Sequence, residues 1–244
     1  MSSRTLQIPM PDGRADALAA FPDDGERHPA VLMYPDAFGL RPVLREMAEQ
    51  LAGHGYFVLV PHYLYRNGRT PLVDLPEFIG DEERDRLVGR LMPLLGEHTL
   101  DRVLDDAAAY LRFLGERPEA APGPVAVTGY CFGGLLAVRT AAAHPGEVAA
   151  VAAFHAPVAA DGPDRLGQLA AEVHFGHAAG DITAEDLSSL NQVLDGAGLT
   201  YTSEIYPDTV HGFTMSDTSA HSPSALDRHW ERLLPLLARN LRTT

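Results

Sequence analysis

Short, uninterrupted apolar runs, each followed by a stretch with helical spacing, constrain this chain more than any other feature. Ala30–Tyr34 is such a run, ended by Pro35. Leu44, Met47, Ala48, Leu51 and Ala52 then recur at helical spacing, and Gly53 and Gly55 close the helix. Tyr56–Val60 is a second buried run, stopped by Pro61. Leu100–Leu114 reads as a helix, Val125–Val127 as a strand and Leu135–Ala143 as a helix. Val148–Phe154 and Glu172–Phe175 read as further strands, Ile182–Leu194 as a helix, and Tyr201–Tyr206 alternates as a strand.

A last helix starts at Ser222-Pro223, an N-cap residue followed by proline. Leu226, Trp230, Leu233, Leu234 and Leu237 form its apolar stripe, with Pro235 a candidate kink. Runs that are apolar throughout belong to strands buried on both faces. The sequence therefore predicts an α/β fold: one domain over residues 1–244, with a mostly parallel central sheet and helices on both faces. Residues 62–99, rich in Arg, Pro and Gly, break the rhythm and are expected to form a lid or long loop over a site.

Composition narrows the function. With 45% hydrophobic residues the 244-residue chain can bury a core without disulfide staples. A single cysteine excludes an internal disulfide and a multi-cysteine zinc site. The formal net charge of −14 argues against nucleic-acid or anionic-membrane partners. No window approaches a transmembrane length of apolar residues, and the N-terminus lacks the apolar core of a signal peptide. A cytoplasmic protein is the expectation; no pattern speaks to its oligomeric state.

The lone cysteine stands in Gly129-Tyr130-Cys131-Phe132-Gly133, between a strand and a helix. This is the spacing of a nucleophile elbow, a tight turn that lifts the central side chain above the sheet at the N-terminus of the next helix. The positive end of that helix favours thiolate over thiol. The Phe132 N–H is left free to meet an oxyanion formed at a carbonyl attacked by Cys131. A packed, inert cysteine would need no such setting.

A nucleophile of this kind needs a base and an orienting carboxylate. Among eleven histidines, His211 follows the strand Tyr201–Tyr206, and Asp181 follows the strand ending at Phe175. Both leave carboxyl ends of predicted parallel strands, the edge where Cys131 also sits. Asp208 is the rival acid, but it lies too close in sequence to His211 to reach the far ring nitrogen. His155, after Val148–Phe154, is expected to look into the cleft, either shaping substrate binding or simply satisfied at its strand end. His174 and His177 flank a strand end where side chains diverge, so they are not expected to bind metal.

Together these motifs resemble the dienelactone hydrolase family, the cysteine branch of the α/β-hydrolases. Gly129–Gly134, Gly180-Asp181, His211-Gly212-Phe213, Asp36-Ala37-Phe38-Gly39 and Gly55-Tyr56 carry the resemblance in order along nearly the whole chain. It implies an α/β-hydrolase fold and a carboxylic ester hydrolase of the carboxymethylenebutenolidase class. The implied substrate is a small-molecule ester or lactone, with no cofactor and no metal. The implied triad falls on Cys131, His211 and Asp181, and the implied oxyanion donors are the N–H groups of Phe132 and Ala37.

The family's thiol-holding glutamate falls on Asp36, one methylene shorter; its plainer reading is a turn residue after Pro35. Of two arginines that hold a substrate carboxylate, one falls on Arg86, which reads equally as a solvated lid residue. The other position is Met215, which cannot pair with a carboxylate. That departure points to a more apolar ester or lactone. Two competing readings remain: a pocket repurposed for isomerisation, cyclisation or ligand binding, and a thiol redox protein without a resolving cysteine.

Overall fold

The computed structural model describes residues 1–241. Its centre is an eight-stranded sheet in the order β1-β2-β4-β3-β5-β6-β7-β8. The strands are β1 (Ser2–Met10), β2 (Gly13–Phe21), β3 (Ala30–Tyr34), β4 (Phe57–Pro61), β5 (Val125–Tyr130), β6 (Val148–Phe154), β7 (Glu172–Ala178) and β8 (Tyr201–Tyr206). The six strands from β4 to β8 in this order run parallel, and β1 and β2 join antiparallel at one edge.

Neighbouring residues on a strand face opposite layers. Val31 and Met33 of β3 pack under α1 (Pro42–Gly53) and α7 (Pro223–Asn240), while Leu32 and Tyr34 face the opposite layer. That second layer holds α3 (Leu100–Gly115), α4 (Phe132–Ala143) and α6 (Ala184–Gly196). Burial on both faces is why these strands read as continuous apolar runs. A short α5 (Pro163–Leu166) completes the helices apart from the segment described next.

Residues 62–99 are more regular than expected. They contain a short 3₁₀ turn at Tyr65–Asn67 and a full helix, α2 (Asp81–Gly96). Gly89 and Pro93, both poor helix formers, interrupt α2 and hid it within a segment rich in Arg, Pro and Gly. Its stability comes from Leu87, Leu91 and Leu95, buried at spacings of four, and from Asp81, Glu82 and Glu83 in the first turn, where the helix dipole favours negative charge.

The β1–β2 hairpin is absent from the sequence-based expectation. β1 is a half-exposed edge strand with polar residues, and β2 is alanine-rich, so neither carries a strong strand signal. Other boundaries move for local reasons. Helix α4 starts at Phe132, immediately after Cys131, rather than at Leu135. β7 extends to Ala178, which puts His174 and His177 inside the strand. Helix α7 runs through Pro235 without a break, and His229 and Leu236 are buried where Leu226 and Leu234 are only partly so.

The strand register positions the site. Tyr34 pairs with Gly129, Tyr130 with Phe154, Phe154 with Gly176, and Ala178 with Tyr206. The carboxyl ends of β3, β5, β6, β7 and β8 therefore finish at one rim, where α/β sheets form their binding clefts.

Candidate active site

Cys131 sits where β5 meets α4, with φ 55° and ψ −126°, a conformation disfavoured for a side chain-bearing residue. The turn is held by Cys131 N–H to Phe154 carbonyl (3.1 Å) and Gly134 N–H to Cys131 carbonyl (3.0 Å). The glycines are there for close approach. A Cβ on Gly129 would lie 2.1 Å from the Gly133 carbonyl oxygen, and one on Gly133 would lie 2.2 Å from the Pro35 carbonyl oxygen. The elbow is thus pressed against both its own helix and the end of β3. The thiol is partly buried.

His211 and Asp181 come from loops after β8 and β7. Thr209 laces those loops together: its hydroxyl donates to the Tyr206 carbonyl (2.7 Å) and accepts from the Ala179 N–H (3.1 Å). Asp181 N–H bonds the Ala178 carbonyl (3.0 Å), and a Thr183–Asp186 capping box starts α6 just beyond. His211 Nδ1 then lies 2.7 Å from Asp181 Oδ2, and the ring is near enough to Cys131 for the sulfur to influence its basicity. Burial alone would lower the basicity of His211, but Asp181 and Cys131 outweigh it and push its pKa up to about 10. Asp208 lies exposed in the turn after β8.

The three side chains open onto a cavity of about 850 Å³, within the range of small-molecule sites. Its walls are mainly apolar: Val88, Met92 and Leu95 of α2, Phe132, Val158, Ile182 and Met215. Ala37 lines it as well, and among the described residues neither the Ala37 nor the Phe132 N–H has a hydrogen-bond acceptor. Two free donors beside a thiol and an imidazole form an arrangement able to stabilise a tetrahedral oxyanion.

Other expected residues are placed differently. Both Asp36 carboxylate oxygens are taken by Arg41, at 2.5 and 2.9 Å, and Asp36 Oδ1 also accepts from the Phe38 N–H (3.2 Å). Asp36 lines the cavity, but both of its carboxylate oxygens are already engaged by Arg41. Arg86 is exposed and does not line the cavity; Arg84, two residues earlier, does, and its Nη2 donates to the His211 carbonyl (2.6 Å). Residues two apart on a helix face different ways. With α2 unrecognised, its phase could not be assigned; the spacing of Arg84 from Leu87 and Leu91 was the available signal.

His155 is fully buried at φ 40°, lines the cavity, and pairs its Nε2 with Thr214 Oγ1 at 2.8 Å. Its ring stacks edge-on to His211, with centroids 5.1 Å apart. Burial first, then the neighbouring His211, hold it neutral. His174 is bonded to Thr202 and Tyr206, and His177 to Ser203. Among the described residues no group of three or more His, Cys, Asp or Glu is arranged to hold a metal ion. No helix among them is long and apolar enough to cross a membrane.

An eight-stranded, mostly parallel sheet with its functional loops at the carboxyl rim and an elbow after β5 defines an α/β-hydrolase fold. The chain belongs to the dienelactone hydrolase family, whose model matches residues 15–241. It is 29% identical over 236 residues to a carboxymethylenebutenolidase from Rhodococcus opacus, an alignment covering 92% of this chain and 86% of the relative. Its fold resembles that of the dienelactone hydrolase-like promiscuous phosphotriesterase P91 from metagenomic libraries, with a TM-score of 0.80, 21% identity and 99% of each chain covered. It also resembles a dienelactone hydrolase from Anabaena variabilis, with a TM-score of 0.72, 17% identity and 99% of each chain covered.

Proposed function

We propose that this dienelactone hydrolase-like hydrolase cleaves a small-molecule ester or lactone through Cys131, His211 and Asp181, by way of a thioester. The observation that carries this reading is the 2.7 Å pairing of His211 with Asp181 on the wall of the cavity that Cys131 also lines. In the first half-reaction the Cys131 thiolate adds to the carbonyl carbon, and the oxyanion takes hydrogen bonds from the Phe132 and Ala37 N–H groups. Collapse expels the alkoxide, which takes a proton from His211, leaving an acyl group on sulfur. Acylation removes the negative sulfur that helped raise the basicity of His211. The imidazole, having given its proton to the alkoxide, stays neutral and serves as the base for water. Attack by that water breaks the carbon–sulfur bond, frees the acid and leaves the proton on His211, restoring the thiolate–imidazolium pair.

The apolar walls support a substrate without a second carboxylate. Among the described residues Arg84 is the one arginine or lysine lining the cavity, and Met215 is buried in its wall. A thiolate is a better leaving group than an amine anion, so amides are poor substrates and peptidase activity is negligible. The test is Cys131→Ala, assayed on short aryl esters and enol lactones beside the wild type. Loss of turnover of about 10³-fold or more is expected, with an acyl mass adduct on Cys131 in quenched wild-type enzyme. Undiminished turnover in the variant ends this mechanism.

A further inference from the structure

We propose that Arg41 is a positioning residue for ester cleavage: it holds the Asp36–Gly39 loop so that the Ala37 N–H meets the oxyanion formed at Cys131. This rests on the hydrolase reading above. Arg41 is almost completely buried (side chain 4% exposed), and every N–H of its guanidinium is engaged. Nη1 donates to Asp36 Oδ1 and the Gly39 carbonyl, so both ends of the loop are gripped on either side of Ala37. Nη2 donates to the second Asp36 oxygen (2.9 Å). The Asp36 carbonyl accepts from Gly39 N–H (3.0 Å) and from the buried Tyr63 hydroxyl (3.2 Å), which closes the turn.

The grip is anchored elsewhere in the fold. Arg41 Nε and Nη2 donate to Asp217 (2.6 and 3.2 Å), beyond the His211 loop. The Asp217 carbonyl accepts from Ile79 N–H (2.8 Å), which ties the anchor to the segment leading into α2. His211 has its own supports, in Asp181 and in Arg84 at its carbonyl; the Ala37 loop has Arg41. Burying one guanidinium with two carboxylates carries a large desolvation cost, and apolar residues would fill the same space more cheaply. The ion triad adds direction, since a bidentate fork fixes distance and angle together. The Gly133–Pro35 contact already presses the loop's start against the elbow, so a small rotation of the loop would re-aim the Ala37 N–H.

Two reactions of the same sulfur test this. Alkylation by iodoacetamide develops no oxyanion, whereas acylation by p-nitrophenyl acetate does. In Arg41→Met the acylation rate should fall by at least about tenfold, with KM little changed and alkylation within about twofold of wild type. Arg41→Lys keeps the charge without the fork and should recover little of the loss. Should Arg41→Met not fold, Asp217→Asn loosens the same anchor and should give a smaller loss with the same selectivity. Equal loss of both rates, or no loss of acylation, overturns the role of Arg41. Full ester turnover in Cys131→Ala would instead sink the hydrolase reading itself, so the two failures are separable.

Discussion

Cys131 occupies a backbone conformation that costs on the order of 1–3 kcal/mol for a residue with a Cβ, and its neighbours show why the chain tolerates it. Gly129 and Gly133 let helix, strand and β3 terminus close around the turn, so the surrounding packing determines the thiol's direction. At the same scale, Asp181 sets the charge of His211. In Asp181→Asn the amide cannot oppose the burial penalty, so the His211 pKa should drop from about 10 toward or below the ordinary imidazole range. Ester turnover should fall about 10²–10⁴-fold. An NMR titration of His211 that does not move would contradict this, and Asp208→Asn, altering an exposed turn, should change neither quantity.

Among the elements, α2 supplies much of the cavity's apolar wall. Leu87, Leu91 and Leu95 seat it, while Val88, Met92 and Leu95 face the cavity. Leu91 packs in a small cluster with Val73, Ile79 and Leu87 that also touches Ala37 and Phe38. Leu91→Ala should cost about 2–5 kcal/mol of stability if the helix unfolds with the whole domain, and less if it opens alone. The dependence of turnover on acyl-chain length should change as the cavity wall loosens. Thermal denaturation and a series of p-nitrophenyl esters measure both, and an unchanged chain-length profile would remove α2 from substrate selection. The helix was hidden in the sequence because Gly89 and Pro93 interrupt an otherwise favourable run, and packing of its leucines offsets their cost. The β1–β2 hairpin escaped for a related reason: its alanines and polar residues become strand only through pairing with each other and with β4.

For the whole molecule, buried histidines set the response to pH. Burial holds His62, His98, His155, His174, His177 and His229 below the ordinary imidazole value of 6.5, with His98, His174 and His177 at about 4 and His229 at about 3. The unfolded chain takes up protons at these sites before the folded one does, so their contribution is present above pH 6.5 and is lost as pH falls through the folded values. His211 has the opposite sign: its contribution is complete below pH 6.5 and fades as pH rises through about 10. Urea midpoints should therefore decline steadily from pH 6.5 toward 4, and His229→Phe or a like replacement should flatten the decline. A midpoint that is constant over that interval would show that these rings are accessible to protons in the folded state.

The sequence by itself determined the alternation of buried strands and helices, because burial on both faces demands continuous apolar runs. It also determined which loops leave the carboxyl rim, and so brought Cys131, Asp181 and His211 to one edge. Only the tertiary structure decided the partners at that edge. Arg84 rather than Arg86 faces the cavity because helix phase, not residue type, selects the side chain. Asp36 is bound to Arg41 because the buried guanidinium also reaches Asp217, 176 positions away. Contacts between residues so far apart in the chain depend on how the layers close, and no local pattern of residue types records that.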